Sequence, residues 1–318
     1  MPTIDLSGIY PGQIENKNMQ KRVIAIVGPK GGVGKSTISA NLAISIASMG
    51  IRVTAVDLDL GGANLHVILG IRDVANSLDD FLLKKVKTLE EVVIETGIKN
   101  LRLICGGGKI PDIANLPFQQ KIKLTNHLAK LEGDVVILDL AAGSSFNVVD
   151  FLFIAHMGLV ITTPEVTSLM KVYSFIKSSI FRLLTFHFKS KHSDELTGLL
   201  ERAKDVDANP TLKTIENLLS EAQKIDTGAV ESARQMLKRF IPHIVINMAR
   251  SQADSNSGRV VQNLMKQYLS IESTVLATLP EDEAVKRAIF QLKPVMVVNP
   301  DCVFSRAVKD LAVKCLRT

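Results

Sequence analysis

The chain has 318 residues, of which 46% are hydrophobic, and a formal net charge of +6. A chain of this length buries enough surface to fold without covalent staples, and its cysteines (Cys105, Cys302 and Cys315) form no CxxC pair, which argues against a disulfide framework and withholds support from a zinc or iron–sulfur site. No signal-like leader and no apolar run of about 18 residues is present, so a reducing, cytoplasmic setting is expected.

Residues 1–20 read as a polar tail with turn residues at Pro11, Gly12, Asn16 and Asn18. From residue 22 a rhythm begins. The apolar, β-branched run Arg22–Gly28 predicts a buried parallel strand, followed by a helix over Ser36–Met49 that Gly50 terminates. Further strands are predicted at Arg52–Asp57, Leu101–Cys105, Val135–Leu140, Gly158–Thr163, His243–Asn247, Val275–Leu279 and Val295–Val298, most of them separated by amphipathic stretches. The apolar stretch Phe146–Thr163 is broken by Asp150 and His156, and predicts a buried helix followed by a buried strand. Alternating strands and helices define the α/β class: a doubly wound, mainly parallel sheet flanked by helices, in one domain spanning 21–318. Residues 190–240 break the rhythm with a helical, charged, near-neutral pattern, and predict a surface insertion of two or three short helices.

Between the first strand and its helix stands GPKGGVGKST. That context is what a phosphate-cradling loop requires. Gly31, Gly32 and Gly34, with Val33 between them, can turn backbone N–H groups inward around phosphate oxygens, and the helix starting near Ser36 directs its positive end at the anion. Lys35 is placed to reach the β- and γ-phosphates, the Ser36 hydroxyl to ligate Mg²⁺, and Thr37 to lie near the α-phosphate. ATP and Mg²⁺ are therefore the expected ligands. After the second strand come Asp57 and Asp59 in DLDLGGAN, two carboxylates at the end of the sheet where ligands of doubly wound folds bind. The run Asp134–Asp139 is an apolar strand ending in an acid, with Asp134 as an exposed cap at its start.

The general loop pattern GxxxxGK[ST] would place glycine at position 29, where this chain has Pro29; Lys30 stands at the start of KGGVGKS instead. This resembles the deviant Walker A motif of the MinD/ParA family of P-loop ATPases, within the SIMIBI-type fold. The resemblance continues in order through DLDLGGAN, DLAAG and TTPEVTS (Thr162 to Ser168), and through the strand ending Asn247-Met248, which look most like the MinD and FlhG branch. It implies that Lys30 reaches the nucleotide of a partner subunit in an ATP-dependent homodimer; a solvated loop lysine is the alternative. It implies that Asp59 positions the attacking water, that Asp57 and Asp139 support the metal, and that Gly143 senses the γ-phosphate. Asn247, with Pro280 and Glu281 of a second loop, is implied as the adenine pocket; a turn residue closing the strand is the other reading of Asn247.

On this resemblance the chain is an ATP hydrolase with slow turnover stimulated by a protein partner, and a spatial regulator of cell division, flagellar number or polar placement. A ParA-like DNA-partition ATPase and a metal- or cofactor-loading ATPase are the alternatives. The stretch from Val166 to His192 has no acid and carries Lys171, Lys177, Arg182, Lys189 and Lys191 among phenylalanines. Such a helix can lie on an anionic membrane, giving a peripheral location, or dock a partner; packing on the sheet with a solvated basic face is the simpler reading. The +6 charge permits nonspecific DNA binding without requiring it.

Overall fold

The computed structural model describes residues 21–107 and 116–318; the expected tail at 1–20 lies outside the described residues. Eight strands form one sheet: β1 (Arg22–Gly28), β2 (Val53–Leu58), β3 (Val93–Glu95), β4 (Leu101–Ile104), β5 (Val135–Ala142), β6 (Met157–Thr162), β7 (Pro242–Ala249) and β8 (Thr274–Pro280). Their order is β3-β4-β2-β5-β1-β6-β7-β8. Every pairing is parallel except β3 with β4.

The helices are α1 (Lys35–Ser48), α2 (Leu65–Ile68), α3 (Leu78–Leu82), α4 (Phe118–Lys130), α5 (Phe146–Ile154), α6 (Val166–Ser190), α7 (Asp194–Arg202), α8 (Ile215–Gln223), α9 (Thr227–Arg239), α10 (Gln252–Asn256), α11 (Gly258–Leu264), α12 (Glu283–Phe290), α13 (Val295–Val298) and α14 (Val303–Arg317). Strand alternation distributes them over two cores. Ile24 and Ile26 of β1 point into one, shared with α1 and α14; Val23, Ala25 and Val27 point into the other, shared with α5 and α6. Gly50 ends α1 at φ +86°, a left-handed conformation that glycine adopts without cost, and its N–H donates to the Ala47 carbonyl at 3.0 Å.

The insertion consists of α7, α8 and α9 with a short 3₁₀ turn at Pro210–Leu212. Ser193, Thr214 and Asp226 cap the three helices, each side chain accepting from a backbone N–H of its own first turn. Their apolar stripes bury Leu196, Leu199, Leu218 and Leu219 in the same core as Phe175 and Phe188 of α6. The expected two or three helices are thus three, and the long basic helix is roofed by them.

One predicted strand is not a strand. Val295–Val298 forms a single helical turn after Pro294. Its Val295 and Met296 are buried, and the Met296 N–H donates to Asn41 Oδ1 of α1 at 2.9 Å. A four-residue apolar run carries no periodicity that separates a strand from a buried turn. The edge strand β3 was in turn not predicted; its three residues, Val-Ile-Glu, sit in a partly exposed stretch.

Candidate nucleotide site

The chain leaves β1, crosses through α1 to β2, and later returns with β5 between the two, so the carboxyl ends of β1, β2 and β5 open one crevice where the strand order reverses. The loop from Gly28 to Gly34 lies there. Gly32 and Gly34 have φ of +79° and +85°, and a Cβ on Gly31 or Gly32 would meet no atom within 4 Å, so these backbones border open space. The Val33 side chain is buried beneath the loop, close enough to Gly28 that a Cβ there would lie 2.8 Å from Val33 Cγ2.

Lys35, the first residue of α1, is buried and turns its ammonium to Asp139 of β5, with Nζ to Oδ1 at 2.8 Å and to Ser36 Oγ at 3.2 Å. Ser39, one helical turn on, donates its hydroxyl to the same Asp139 oxygen at 2.9 Å. Asp139 is fully buried, and its Oδ2 has no hydrogen-bond partner among the described residues. Sheet register sets Asp57 directly beside Asp139. Asp57 accepts the N–H groups of Asp59 and Leu65, both at 3.0 Å. Burial, and after it the adjacent Asp139 charge, push its carboxyl up to about 7 against the opposing pull of those two donors. Asp59 is partly exposed and faces Gly62 across the turn. Gly143, at φ +94°, donates its N–H to the Gly28 carbonyl at 3.1 Å and ties the end of β5 to the glycine loop.

Lys30 is exposed at the loop's rim and donates to Ser168 Oγ at 3.2 Å. Ser168 in turn accepts from Thr163 Oγ1 at 2.8 Å, and the Thr163 hydroxyl also meets the Glu165 carboxylate, which it holds below the usual range. The TTPEVTS segment therefore contacts the glycine loop through Lys30. Across the crevice, Asn247 is buried and donates Nδ2 to the Val33 carbonyl at 2.8 Å. In this conformation its amide N–H braces the loop from below. The Glu281 N–H donates to the Ala249 carbonyl at 3.0 Å, and the Glu281 carboxylate pairs with Arg250, so Pro280 and Glu281 lie beside the strand end that carries Asn247. Thr37 contributes its carbonyl to Asn41 Nδ2 at 2.8 Å. Asp134 lies at the opposite end of β5, in a fork with Arg52 whose closest contact is 2.8 Å.

Sequence reasoning missed Ser39, and it placed Ser168 in the TTPEVTS run without giving it a partner. Ser39 is four residues after Lys35 on one helix, a spacing that puts both on the same face. The motif that ends at Ser168 does not show that contact, since only the fold brings it to Lys30.

These residues fit a magnesium nucleotide. The orphaned Asp139 oxygen and the Ser36 hydroxyl are hard oxygen donors beside a glycine backbone that borders open space. Among the described residues no group of three or more His, Cys, Asp or Glu could hold a metal alone. That suits Mg²⁺, which takes one or two protein oxygens and completes its shell with phosphate and water.

Strand order, glycine loop and buried Lys–Asp pair define a P-loop nucleotide-binding protein. The chain belongs to the CobQ/CobB/MinD/ParA nucleotide binding domain family, whose pattern it matches over residues 24–295. It is 30% identical over 243 residues to the flagellum site-determining protein YlxH of Helicobacter pylori, covering 71% of this chain and 74% of that one. It is 33% identical to the septum site-determining protein MinD of the same species and 32% identical to the antiactivator FleN of Pseudomonas aeruginosa, over 46% and 49% of this chain. These two matches span 54% and 55% of the relatives' own length. The solved structure of MinD complexed with Mg-ADP from Pyrococcus horikoshii OT3 shares the fold, with a TM-score of 0.58 over 92% of this chain and 94% of that one, at 21% identity.

Proposed function

We propose that the chain is an ATP-driven spatial regulator: it binds ATP with Mg²⁺, pairs with a second copy, hydrolyses the nucleotide and thereby resets. The observation that carries this reading is the convergence of Lys35, Ser36, Asp57 and Asp139 under the glycine loop, with Lys30 at its rim. The YlxH relative, matched over three quarters of its length, favours flagellar placement as the process, with septum placement second.

On arrival of a triphosphate, the Lys35 ammonium exchanges Asp139 for β- and γ-phosphate oxygens, so the buried pair serves as a holding position for both charges. The exchange frees Asp139 and Ser36 to face a cation, which when bound neutralises charge developing on the phosphate oxygens. Asp59, at the open end of the crevice, orients the attacking water, a positioning role rather than a covalent one. Lys30 leaves Ser168 to reach the partner's phosphates, which makes hydrolysis depend on the dimer. An activating protein would act by completing this arrangement.

The test measures nucleotide binding by fluorescent-analogue titration, hydrolysis by phosphate release, and assembly by light scattering. Lys35→Ala is expected to lose binding. Asp59→Ala should bind and dimerise with hydrolysis abolished, and Lys30→Ala should retain binding while losing dimer-dependent hydrolysis. Tight ATP binding by Lys35→Ala, or wild-type turnover by either of the others, would overturn the assigned role.

A further inference from the structure

A second concave site lies on the far side of α6, where the insertion meets α5. It is a groove of about 570 Å³ floored by Arg182. The Arg182 guanidinium lies between two rings, 4.1 Å from the centroid of Phe146 and 4.4 Å from that of Phe186. It is fixed from beneath by Asp150, with Nη2 to Oδ2 at 2.7 Å, and Asp150 also receives Lys121 at 2.7 Å. One carboxylate thus serves two cations, and the floor of the groove keeps a positive excess. Lys177, Lys189 and Lys204 stand around the rim. Glu201 pairs with Lys204 at 2.6 Å, whereas Lys177 and Lys189 have no acidic partner among the described residues. Phe146 is 64% exposed, an unusual state for a ring on the first turn of a helix whose next residues are buried.

From this we propose that the groove binds an acidic peptide segment of a partner protein, seating an aromatic or large aliphatic side chain on Phe146 with carboxylates on Lys177 and Lys189. Charge complementarity selects the sign of the partner, and the stacked ring–guanidinium floor selects its apolar anchor. A membrane is the poorer occupant. The rings other than Phe146 are half-buried inside a concavity walled by α7, whereas insertion into a bilayer needs a convex apolar stripe.

The groove is also joined to the nucleotide site. Phe146 follows the Asp139–Gly143 segment by three residues, and Ser145 between them caps α5 by accepting the Val148 N–H. A peptide seated on Phe146 therefore bears on the loop that carries Gly143. This coupling rests on the ATPase reading; the binding itself does not.

The experiment selects peptides from a randomised 12-residue display library on the full-length protein, with counter-selection on the Lys177→Glu/Lys189→Glu variant. Winners are then measured by fluorescence anisotropy with and without ATP and Mg²⁺. Peptides combining Asp or Glu with Phe, Trp or Leu are expected, with affinity weakened roughly tenfold or more by the charge-reversed variant, by Phe146→Ala, and by added salt. All three changed residues are surface-accessible, and retained thermal melting confirms the fold of each variant. Absence of enrichment over the counter-selected variant overturns the proposal, as does binding that the variants leave intact. Pelleting with phosphatidylserine vesicles that the charge reversal abolishes, in the absence of peptide capture, would replace it with a lipid surface. A protein that captures acidic peptides but no nucleotide fails only the ATPase reading, and the converse result fails only the groove.

Discussion

Replacing Lys35 with methionine keeps a flexible, unbranched side chain that ends one atom short and carries no ammonium. The nucleotide-free protein then holds Asp139 fully buried, with the Ser39 hydroxyl at 2.9 Å as its one remaining donor and Oδ2 still without a partner among the described residues. Stranding one member of a buried ion pair costs about 3–5 kcal/mol. At roughly 2.1 cal/mol/K per residue, a chain of 318 residues melts with an entropy of about 0.7 kcal/mol/K, so the melting temperature should fall by about 4–8 °C. Differential scanning calorimetry without nucleotide measures this. The deficit arises from an unpaired negative charge, so Asp139→Asn added to Lys35→Met should recover most of it, although the same change alone in the native background destabilises. A double variant no more stable than Lys35→Met would refute the account, as would a single variant that melts within a degree of the native protein.

Asp57 supplies a pH dependence. Its folded-state value near 7 lies above the unfolded one, so between about pH 4 and 7 the folded chain holds a proton that the unfolded chain has released, and stability falls as pH rises through that window at up to about 1.4 kcal/mol per unit. Asp57→Asn should flatten the melting-temperature profile between about pH 4 and 7 in nucleotide-free protein; an unchanged slope would remove the assigned titration. Gly34→Ala combines a φ of +85° with a Cβ placed 2.4 Å from Asn247 Nδ2, so it should lose about 1–2 kcal/mol from handedness alone, together with nucleotide binding. Adding Asn247→Ala relieves the clash but not the dihedral, and full recovery in urea unfolding would contradict this. Phe188→Ala removes a fully buried ring where α6 meets the insertion, and should cost about 3–5 kcal/mol. Hydrogen exchange should then rise across 194–239 before it rises in the sheet; uniform exchange would argue against a separately held insertion.

The sheet was legible because its central strands are buried on both faces and read as unbroken aliphatic runs. The loop was legible because glycines stand between an aliphatic strand and a helix, where the chain must turn sharply and Gly32 and Gly34 take positive φ. Legibility ended where local pattern stopped determining the outcome. Val295–Val298 is apolar and β-branched like a strand, yet Pro294 before it and the Asn41 side chain that receives its backbone turn it into a helix. The pairing of Lys30 with Ser168 spans 138 positions, and the bracing of Val33 by Asn247 spans 214, so neither leaves a trace in sequence windows. The phenylalanines between residues 175 and 188 show the same limit. Sequence gave them one amphipathic character, while the structure sends Phe175 and Phe188 inward and leaves Phe181 and Phe186 on the groove.

The side-by-side placement of Asp57 and Asp139 has a mechanical corollary. Both acids sit on neighbouring strands bonded rung by rung from Val53↔Val135 to Leu58↔Leu140, and sliding one strand by a single residue would turn every side chain on it to the opposite face. The sheet therefore acts as a ruler that sets the spacing of the two carboxylates by register. What hangs off the ruler's end is tied back to it: residues 59–64 after β2 close on Asp57 through the Leu65 N–H, and residues 143–146 after β5 run from the Gly143–Gly28 bond straight into the capped start of α5, so the two carboxylates and the two loops are held as one frame.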